Sequence, residues 1–292
     1  MKVFLSVVLL LTFSVVCWGC TPQEIEELKE RAENGEALAQ YNLGWAYDNG
    51  DGVPEDDEEA FKWYMKAAEQ GLAQAQYNLG WAYDNGDGVP KDNKKTVKWW
   101  KKAAEQEHAD AQFNLGIRYF NGEGVKKDTD AGLKWVTSAA ELGDGTAQFN
   151  LGIRYFNGLG VKKDTNAGLK WVTSAAELGN ATAQFNLGTR YFSGQGVEVD
   201  TNAGFKWITS AAEQGLGSAQ LSLGVKYATG EIVPQNNEKA FTWFYLANRN
   251  GNESAGYWMG GLAKEMTPEQ IAEAQKLSRE MVEANPRLLG EK

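Results

Sequence analysis

Apolar and polar positions along this chain repeat with a period of 36 residues. The string from Ala39 to Pro54 recurs without a change from Ala75 to Pro90. A leucine–glycine pair then returns at the same interval, at Leu43, Leu79, Leu115, Leu151, Leu187 and Leu223. A fixed period of this length is typical of stacked helical repeats, in which each repeat contacts only its neighbours.

Each repeat has the pattern of two helices. In the first repeat, helix A is predicted over Ala37–Asp48, and a glycine-rich stretch that ends at Pro54 terminates it. Helix B is predicted over Asp57–Gln70, followed by Gly71 in the position that favours a left-handed cap. At 100° per residue, helix A has one packing face, formed by Ala39, Gln40, Leu43, Gly44 and Tyr47.

The period predicts six repeats between two capping segments. The repeats are placed at residues 36–71, 72–107, 108–143, 144–179, 180–215 and 216–251. Residues 21–35 have the pattern of a lone helix B, with Thr21 as N-cap and Pro22 after it. Residues 252–292 are predicted to hold a degenerate helix A (Ser254–Met266), a final polar helix through Glu283, and a loose tail from Asn285.

The consensus of these repeats resembles a known family. It reads A-x-A-Q-[YF]-N-L-G-x-x-Y in helix A and A-x-K-W-x-x-x-A-A-E-x-G in helix B, between Ala37 and Gly251. This pattern is similar to that of the Sel1-like repeats (SLRs), of exported bacterial type, a subclass of the tetratricopeptide repeat superfamily. The resemblance implies an all-α fold, a right-handed α-solenoid superhelix of about six helix-turn-helix repeats, and a role in protein binding.

The charge of the chain narrows the class of partner. It has 29 basic and 39 acidic side chains, which give a formal net charge of −10. Phosphate backbones are bound by clustered lysine and arginine. We therefore expect a protein or peptide partner and no nucleic acid, and nothing in the sequence indicates an obligate oligomer.

The first 20 residues have the pattern of a signal peptide. Lys2 precedes an apolar run that ends at Val16, and this run is shorter than the roughly 20 residues of a membrane-spanning helix. Export to the periplasm, the envelope or the medium is expected. Cys20 resembles the lipidated cysteine of bacterial lipoproteins, but Cys17 and Trp18 depart from that motif. Simple cleavage is the alternative, and attachment to the membrane is expected only through the signal peptide or a lipid anchor at Cys20.

Residues suited to catalysis are sparse. His108 is the single histidine, and its position at a repeat junction predicts an exposed surface residue. The Gly-x-Gly elements follow helices rather than strands, so they indicate turns and not a dinucleotide site. The acidic loops that begin at Asp48 and Asp84 lack the alternating oxygen ligands of an EF-hand. We expect no catalytic residue, no metal and no cofactor.

A binding surface is predicted on the side of helix A opposite its packing face, which lines a concave peptide groove in the parent superfamily. An aromatic file runs along it through Tyr41, Tyr77, Phe113, Phe149 and Phe185. An asparagine file runs beside it through Asn42, Asn78, Asn114, Asn150 and Asn186. The candidate groove is completed by Trp45, Trp81, Arg118, Arg154 and Arg190. Asparagine can both donate to and accept from a peptide backbone, and aromatic side chains supply apolar contact area.

Two structural alternatives remain open for this surface. The aromatic side chains can pack against a preceding helix B, and the asparagines can tie adjacent repeats together.

The function predicted from these features is an interaction scaffold, which binds a peptide segment or protein partner in the groove at the cell envelope or outside the cell. Binding of cell-wall or glycan fragments is the alternative, because tryptophan and asparagine suit sugar faces and hydroxyls. Hydrolysis of β-lactams has been linked to cysteine-rich relatives. This chain has no cysteine after Cys20 and no serine with a lysine placed as in Ser-x-x-Lys, so a non-enzyme is expected.

Overall fold

The computed structural model describes residues 21–290. These residues form fifteen α-helices and one short 3-10 helix, and no strand occurs among them. They divide into two compact units at the boundary between Asp128 and Thr129. The predicted fold class is confirmed: the chain is an all-α solenoid protein built from tandem helical hairpins of 36 residues.

The first unit contains a lone helix followed by alternating A and B helices. Its helices are α1 (Pro22–Glu33), α2 (Ala37–Asn49), α3 (Asp57–Glu69), α4 (Ala73–Asn85), α5 (Asn93–Ala104) and α6 (Ala109–Asn121). From α1 to α5, each helix packs against the next helix along the chain. Because the connections are short, consecutive helices bury their apolar faces against each other, and the core runs between them as a series of small clusters.

The second unit continues the same alternation and ends in a longer helix. Its helices are α7 (Thr129–Glu141), α8 (Gly145–Asn157), α9 (Thr165–Glu177), α10 (Ala181–Ser193), α11 (Thr201–Glu213), α12 (Gly217–Thr229), α13 (Asn237–Arg249), α14 (Glu253–Leu262) and α15 (Pro268–Ala284). From α7 to α14 each helix packs against its successor, and α15 packs back on α13. The 3-10 helix spans Pro286–Leu289.

One buried glutamine in every repeat joins helix A to the preceding helix B. Its Nε2 donates to the backbone carbonyl of the alanine eight residues earlier, at 3.0–3.1 Å. These glutamines are Gln40, Gln76, Gln112, Gln148, Gln184 and Gln220. The Oε1 of Gln40 also accepts from Gln70 Nε2 at 2.7 Å. The buried amide thus satisfies a helix-terminal carbonyl and fixes the register between helices.

Two glycines allow helices A and B of a repeat to approach closely. A Cβ at Gly44 would lie 2.8 Å from Cδ1 of Tyr64, and a Cβ at Gly80 would overlap the ring of Trp100. Both aromatic side chains are buried, so the rings have little room to move. The small residue at this position is therefore required by packing rather than by backbone conformation.

The N-terminal cap forms as predicted. The Thr21 hydroxyl accepts from the Glu24 backbone N–H, and the Glu24 carboxylate accepts from the Thr21 backbone N–H at 2.8 Å. Pro22 occupies the first turn of α1, where a missing N–H costs nothing. The second capping box lies at the start of α15, between Thr267 and Gln270.

The C-terminal end differs from the prediction in two respects. The degenerate helix A is shorter, since α14 ends at Leu262, directly after the glycine pair Gly260 and Gly261, which weakens a helix. The expectation of a loose tail from Asn285 is wrong as far as Gly290. Leu288 in this segment is 3% exposed and packs into the core of the last repeats, while its carbonyl accepts from Gln220 Nε2 at 2.8 Å.

Candidate binding surface

The structure places every residue of the predicted groove on the A helices. Within the first unit, α2, α4 and α6 carry Tyr41, Asn42, Trp45, Tyr77, Asn78, Trp81, Phe113, Asn114 and Arg118. Within the second unit, α8 and α10 carry Phe149, Asn150, Arg154, Phe185, Asn186 and Arg190. All of these side chains are partly buried except that of Trp81, which is 37% exposed.

In the first unit, a tyrosine of one repeat is linked to the asparagine of the next. Asn114 Nδ2 donates to the Tyr77 hydroxyl at 3.3 Å. Asn78, one period earlier, lies close enough to the hydroxyls of Tyr41 and of Tyr64 on α3 to offset part of the rise that burial causes in the pKa of both. Burial raises the pKa of the Tyr41 hydroxyl, so the group stays protonated at ordinary pH. These asparagines tie adjacent repeats together, which was one of the two structural alternatives.

In the second unit, the asparagines bond within their own helix. Arg154 Nε donates to Asn150 Oδ1 at 3.0 Å, and Arg190 Nε donates to Asn186 Oδ1 at 2.9 Å. The aromatic file carries phenylalanine in this part of the chain, as at Phe149, so it offers no hydroxyl to the following asparagine. The arginine one turn later supplies the polar contact instead.

Two arginines of the candidate groove, Arg118 and Arg190, contact the preceding repeat. Arg118 forms ion pairs with Asp84 and Glu123, and its guanidinium lies 5.3 Å from the centroid of the Trp100 ring. The Arg118 side chain is only 13% exposed. In the second unit, the Arg190 guanidinium lies 3.3 Å from the centroid of the Phe156 ring. These cations therefore stabilise the junctions between repeats.

The expectation that His108 is an exposed surface residue is wrong. It is the N-cap of α6, where its Nδ1 accepts from the Ala111 N–H at 3.3 Å. Its ring is partly buried and stacks on Tyr77 with centroids 4.6 Å apart. Burial lowers the pKa of the imidazole below its ordinary value, against the opposing effect of Asp110. This role was not predictable from the sequence, because histidine is an unusual N-cap.

A cavity of about 210 Å³ opens between the first two repeats, on α2, α3 and α4. Its lining consists of Asp48, Asp57, Ala60, Phe61, Tyr64, Asn78, Trp81, Ala82, Asn85 and Asp87. Asn78 and Trp81 belong to the predicted groove, and the other lining residues were not predicted to be part of it. The cavity combines an aromatic wall with three carboxylates.

The carboxylate of Asp48 is the central charge of this cavity. The Tyr64 hydroxyl donates to its Oδ2 at 3.1 Å. Asp48 as a whole is exposed to solvent. The protein atoms around its carboxyl group nevertheless remove part of the hydration of that group, which raises its pKa. The nearby acids Asp57 and Asp87 raise it further. The three carboxylates thus give the cavity a negative electrostatic potential, which attracts a positively charged group.

A second cavity, of about 680 Å³, lies beside α14 in the second unit. Tyr257 and Trp258 on this helix are 83% and 44% exposed, and Trp258 stacks on the buried Phe244 with ring centroids 6.1 Å apart. This surface was not predictable from the 36-residue consensus, because α14 belongs to the degenerate repeat and departs from it.

The expectations about the signal peptide, membrane attachment and metal binding can be compared with the structure only over residues 21–290. Cys20 and the rest of the predicted signal peptide lie outside the described residues. Among residues 21–290, no helix is long and apolar enough to cross a membrane. The same residues contain no group of three or more histidine, cysteine or acidic side chains arranged to hold a metal ion.

Comparison with known proteins places the repeats in one family. The sequence model of the Sel1 repeat matches residues 37–72, 73–108, 109–144, 145–180, 181–216 and 217–252. A Sel1 repeat protein from Oxalobacter formigenes is 36% identical over 82% of this chain and 70% of its own, with a TM-score of 0.76. The protective antigen c5321 of uropathogenic Escherichia coli, which has an SLR fold, is 27% identical over 92% of this chain and 74% of its own, with a TM-score of 0.53.

No curated protein sequence gives a significant match. The six matched segments cover most of the chain, and their helical hairpins are the ones seen in the structure. The consensus in helices A and B, the succession of hairpins and the solved relatives therefore agree, and this chain belongs to the Sel1 repeat family.

Proposed function

We propose that this protein is an interaction scaffold that binds an extended segment of a partner protein along the exposed side of its A helices. Sel1 repeat proteins generally act as scaffolds for protein–protein interactions, and their fold is typically non-catalytic. The observation that carries the finer proposal is the cavity beside Trp81, where the candidate groove offers both an exposed indole and hydrogen-bonding groups. Exposed tryptophan is the kind of anchor around which protein interfaces concentrate their binding energy.

The asparagine file supports this proposal in a restricted way. One atom of the Asn114 amide bonds to Tyr77, and those of Asn150 and Asn186 bond to arginines. An amide has further donor and acceptor capacity beyond one bond. The file therefore acts first as a brace that holds the surface rigid, and a rigid surface loses less entropy when it binds a segment.

A display library of extended peptides tests the proposal directly. The full-length protein is the bait, and selected peptides are measured against Trp81→Ala. Removal of the indole should weaken binding at least about tenfold, as expected for a hot-spot side chain. Tyr257→Ala is the matched control, because it removes an exposed aromatic side chain from α14, outside the candidate groove. A library that yields no binder, or binders unaffected by Trp81→Ala, would contradict the proposed surface.

Binding of glycan fragments is a second candidate function, and the surface around α14 is the observation that favours it. Tyr257 and Trp258 are exposed beside an open cavity, and flat aromatic faces suit the apolar faces of sugars. A glycan array with wild-type protein and Tyr257→Ala tests this candidate. Loss of a glycan signal in the variant would support it, and the absence of any signal with the wild type would sink it.

The proposed place of action is the cell envelope or the exterior, on the basis of the pattern in residues 1–20. Mass spectrometry of the protein recovered from cells would give its mature N-terminus. A diacylglyceryl mass on Cys20, abolished by Cys20→Ala, would establish lipidation. An unmodified N-terminus after cleavage would establish a soluble exported form, and an intact Met1 would overturn the export proposal.

A further inference from the structure

The junctions between the first three repeats differ in one cation: the arginine of the second junction has no counterpart in the first. At the junction of the second and third repeats, Arg118 contacts Asp84, Glu123 and the ring of Trp100. One period earlier these partners are Asp48, Asp87 and Tyr64, and all three line the cavity described above. The position equivalent to Arg118 is Ala82, which also lines the cavity. The first junction thus has acidic and aromatic groups at the positions that surround the Arg118 guanidinium in the second junction, but it has no arginine of its own.

The retained groups remain oriented toward the cavity. Tyr64 donates its hydroxyl to Asp48 Oδ2 at 3.1 Å, and its ring is 3% exposed, so it forms a fixed wall. Asn85 Nδ2 donates to Asp87 Oδ2 at 3.0 Å, just as Asn121 Nδ2 donates to Glu123 at 3.0 Å one period later. The cavity therefore has carboxylates at the same repeat positions as the occupied site, and the asparagine contact to one of them recurs. The other, Asp48, accepts from Tyr64, whereas Trp100 at the equivalent position donates to the Tyr77 carbonyl.

From this internal comparison we infer that the cavity between the first two repeats binds an arginine side chain of the partner segment. The guanidinium pairs with Asp48 and Asp87 and lies against Tyr64, as Arg118 does in the next junction. Guanidinium suits this site better than ammonium because it is planar, donates in a fixed fork to carboxylates and stacks on aromatic faces. The exposed Trp81 ring forms the outer edge of the site. This inference rests on the proposed function, since it names the residue that the bound segment presents.

The probe for the test is a capped pentapeptide, Gly-Gly-Arg-Gly-Gly, with citrulline and lysine versions as controls. Citrulline keeps the shape of arginine without its charge. Nuclear magnetic resonance titration of the full-length protein, read at the Trp81 indole N–H, should show saturable binding of the arginine peptide. Asp48→Asn should weaken this binding at least about tenfold. Equal binding of the citrulline or lysine peptide would overturn the assignment to arginine.

Two further variants use the repeat symmetry itself. Ala82→Arg supplies the missing cation from the chain, so it should abolish binding of the peptide and raise the melting temperature. Arg118→Ala opens the equivalent site with Asp84, Glu123 and Trp100, so it should raise the stoichiometry from one peptide to two. If Arg118→Ala lowers the melting temperature, the arginine peptide should restore part of it and the citrulline peptide should not. Unchanged peptide binding in Ala82→Arg would contradict the inference.

Failure of this inference is distinguishable from failure of the proposed function. The library could yield peptides that need Trp81 but contain no arginine and bind Asp48→Asn as tightly as the wild type. That result would refute the arginine site and would still support the scaffold function. A library without any binder would remove the scaffold proposal as well.

Discussion

At the residue scale, the buried glutamines of the six repeats form a ladder of hydrogen bonds, and two members of this glutamine ladder have an Oε1 without a partner among the described residues. The Oε1 of Gln184 accepts from Gln214 Nε2 at 2.8 Å, thirty residues later in the chain. The Oε1 of Gln148 is buried and has no hydrogen-bond partner among the described residues. The residue thirty positions after it is Leu178, which is 58% exposed. A buried acceptor without a partner costs free energy, and an exposed leucine returns none.

Leu178→Gln should therefore stabilise the protein. The new amide would occupy the C-cap of α9, as Gln214 does in α11, and would donate to Gln148 Oε1. The expected gain is about 1 kcal/mol in the free energy of unfolding, the usual net contribution of one such bond. Chemical denaturation of wild type and variant would measure it.

Two controls bracket this prediction. Leu159→Gln replaces another exposed leucine in a loop, and it should leave stability unchanged. Gln214→Leu recreates the incomplete position one repeat later, and it should cost about 1–3 kcal/mol because Gln184 Oε1 loses its partner. A Leu178→Gln variant no more stable than Leu159→Gln would refute the reading of the ladder.

His108 makes stability depend on pH. Burial holds the pKa of the folded imidazole below 6.5, so the unfolded chain takes up the proton first as the pH falls. The contribution is complete above about pH 6.5, the ordinary histidine value, and declines below it. Protonation would also remove the Nδ1 lone pair that accepts from Ala111.

His108→Asn is the matched variant for this effect. Asn180 already serves as the N-cap at an equivalent position, where its Oδ1 accepts from Ala183 N–H at 2.9 Å. The wild type should lose stability relative to His108→Asn between pH 7.5 and pH 5, as measured by denaturant unfolding at each pH. Parallel profiles for the two proteins would mean that the histidine does not titrate in this range.

At the scale of the helical element, close contact between helices A and B is the most sensitive feature. Gly80→Ala would place a methyl group on the buried ring of Trp100, so we expect a loss of about 1–3 kcal/mol in the free energy of unfolding. Gly260→Ala is the control, because a Cβ there has no atom within 4 Å. Since alanine favours a helix more than glycine does, the control should be neutral or slightly stabilising in a thermal melt. Equal effects of the two substitutions would argue against the packing explanation.

The helices themselves were predictable from the sequence to within one or two residues in the first repeat. Helix A begins at Ala37 as expected and ends at Asn49, one residue beyond the predicted Asp48. Periodic apolar positions and the glycines after each helix carry this information locally. The tail from Asn285 was misjudged because Leu288 is buried by residues far away in the sequence, and local composition gives no sign of that contact.

The candidate surface was less predictable than the fold. The 36-residue period predicts that the asparagines share one face of the A helices, but it does not predict their hydrogen-bond partners. Asn114 bonds to Tyr77 of the adjacent repeat, whereas Asn186 bonds to Arg190 of its own helix. The cavity was missed because its defining feature is a substitution, Ala82 in place of an arginine, whose meaning requires the geometry of the occupied site.

On the scale of the whole molecule, modularity predicts that the chain tolerates loss of a complete period. Deletion of residues 165–200 removes α9 and α10 and joins Asp164 to Thr201. The sequence that follows, Thr-Asn-Ala-Gly, is the same as the one removed. Because each repeat contacts only its neighbours, the shortened protein should fold and unfold cooperatively. Circular dichroism and a thermal melt would measure this.

The control for this deletion breaks the register. Removal of residues 165–182 deletes half a period and would bring an A helix to the place of a B helix. The glutamine ladder and the glycine contacts would then be lost at that junction. We expect this variant to aggregate or to lose its cooperative transition. A cooperative transition in both proteins would show that the alternation of helices is not what holds the second unit together.

The incomplete ladder also records how the chain has been copied. The stretches from Ala111 to Gly143 and from Ala147 to Gly179 are nearly identical, and both contain a leucine at the same place, Leu142 and Leu178. Both also contain a buried glutamine oxygen without a partner among the described residues, in Gln112 and Gln148. Duplication thus transmits defects as faithfully as it transmits a working interface. A substitution that supplies the missing hydrogen bond in one copy leaves the other copy unchanged. Each unsatisfied glutamine therefore has to be corrected separately, and both can persist long after the duplication.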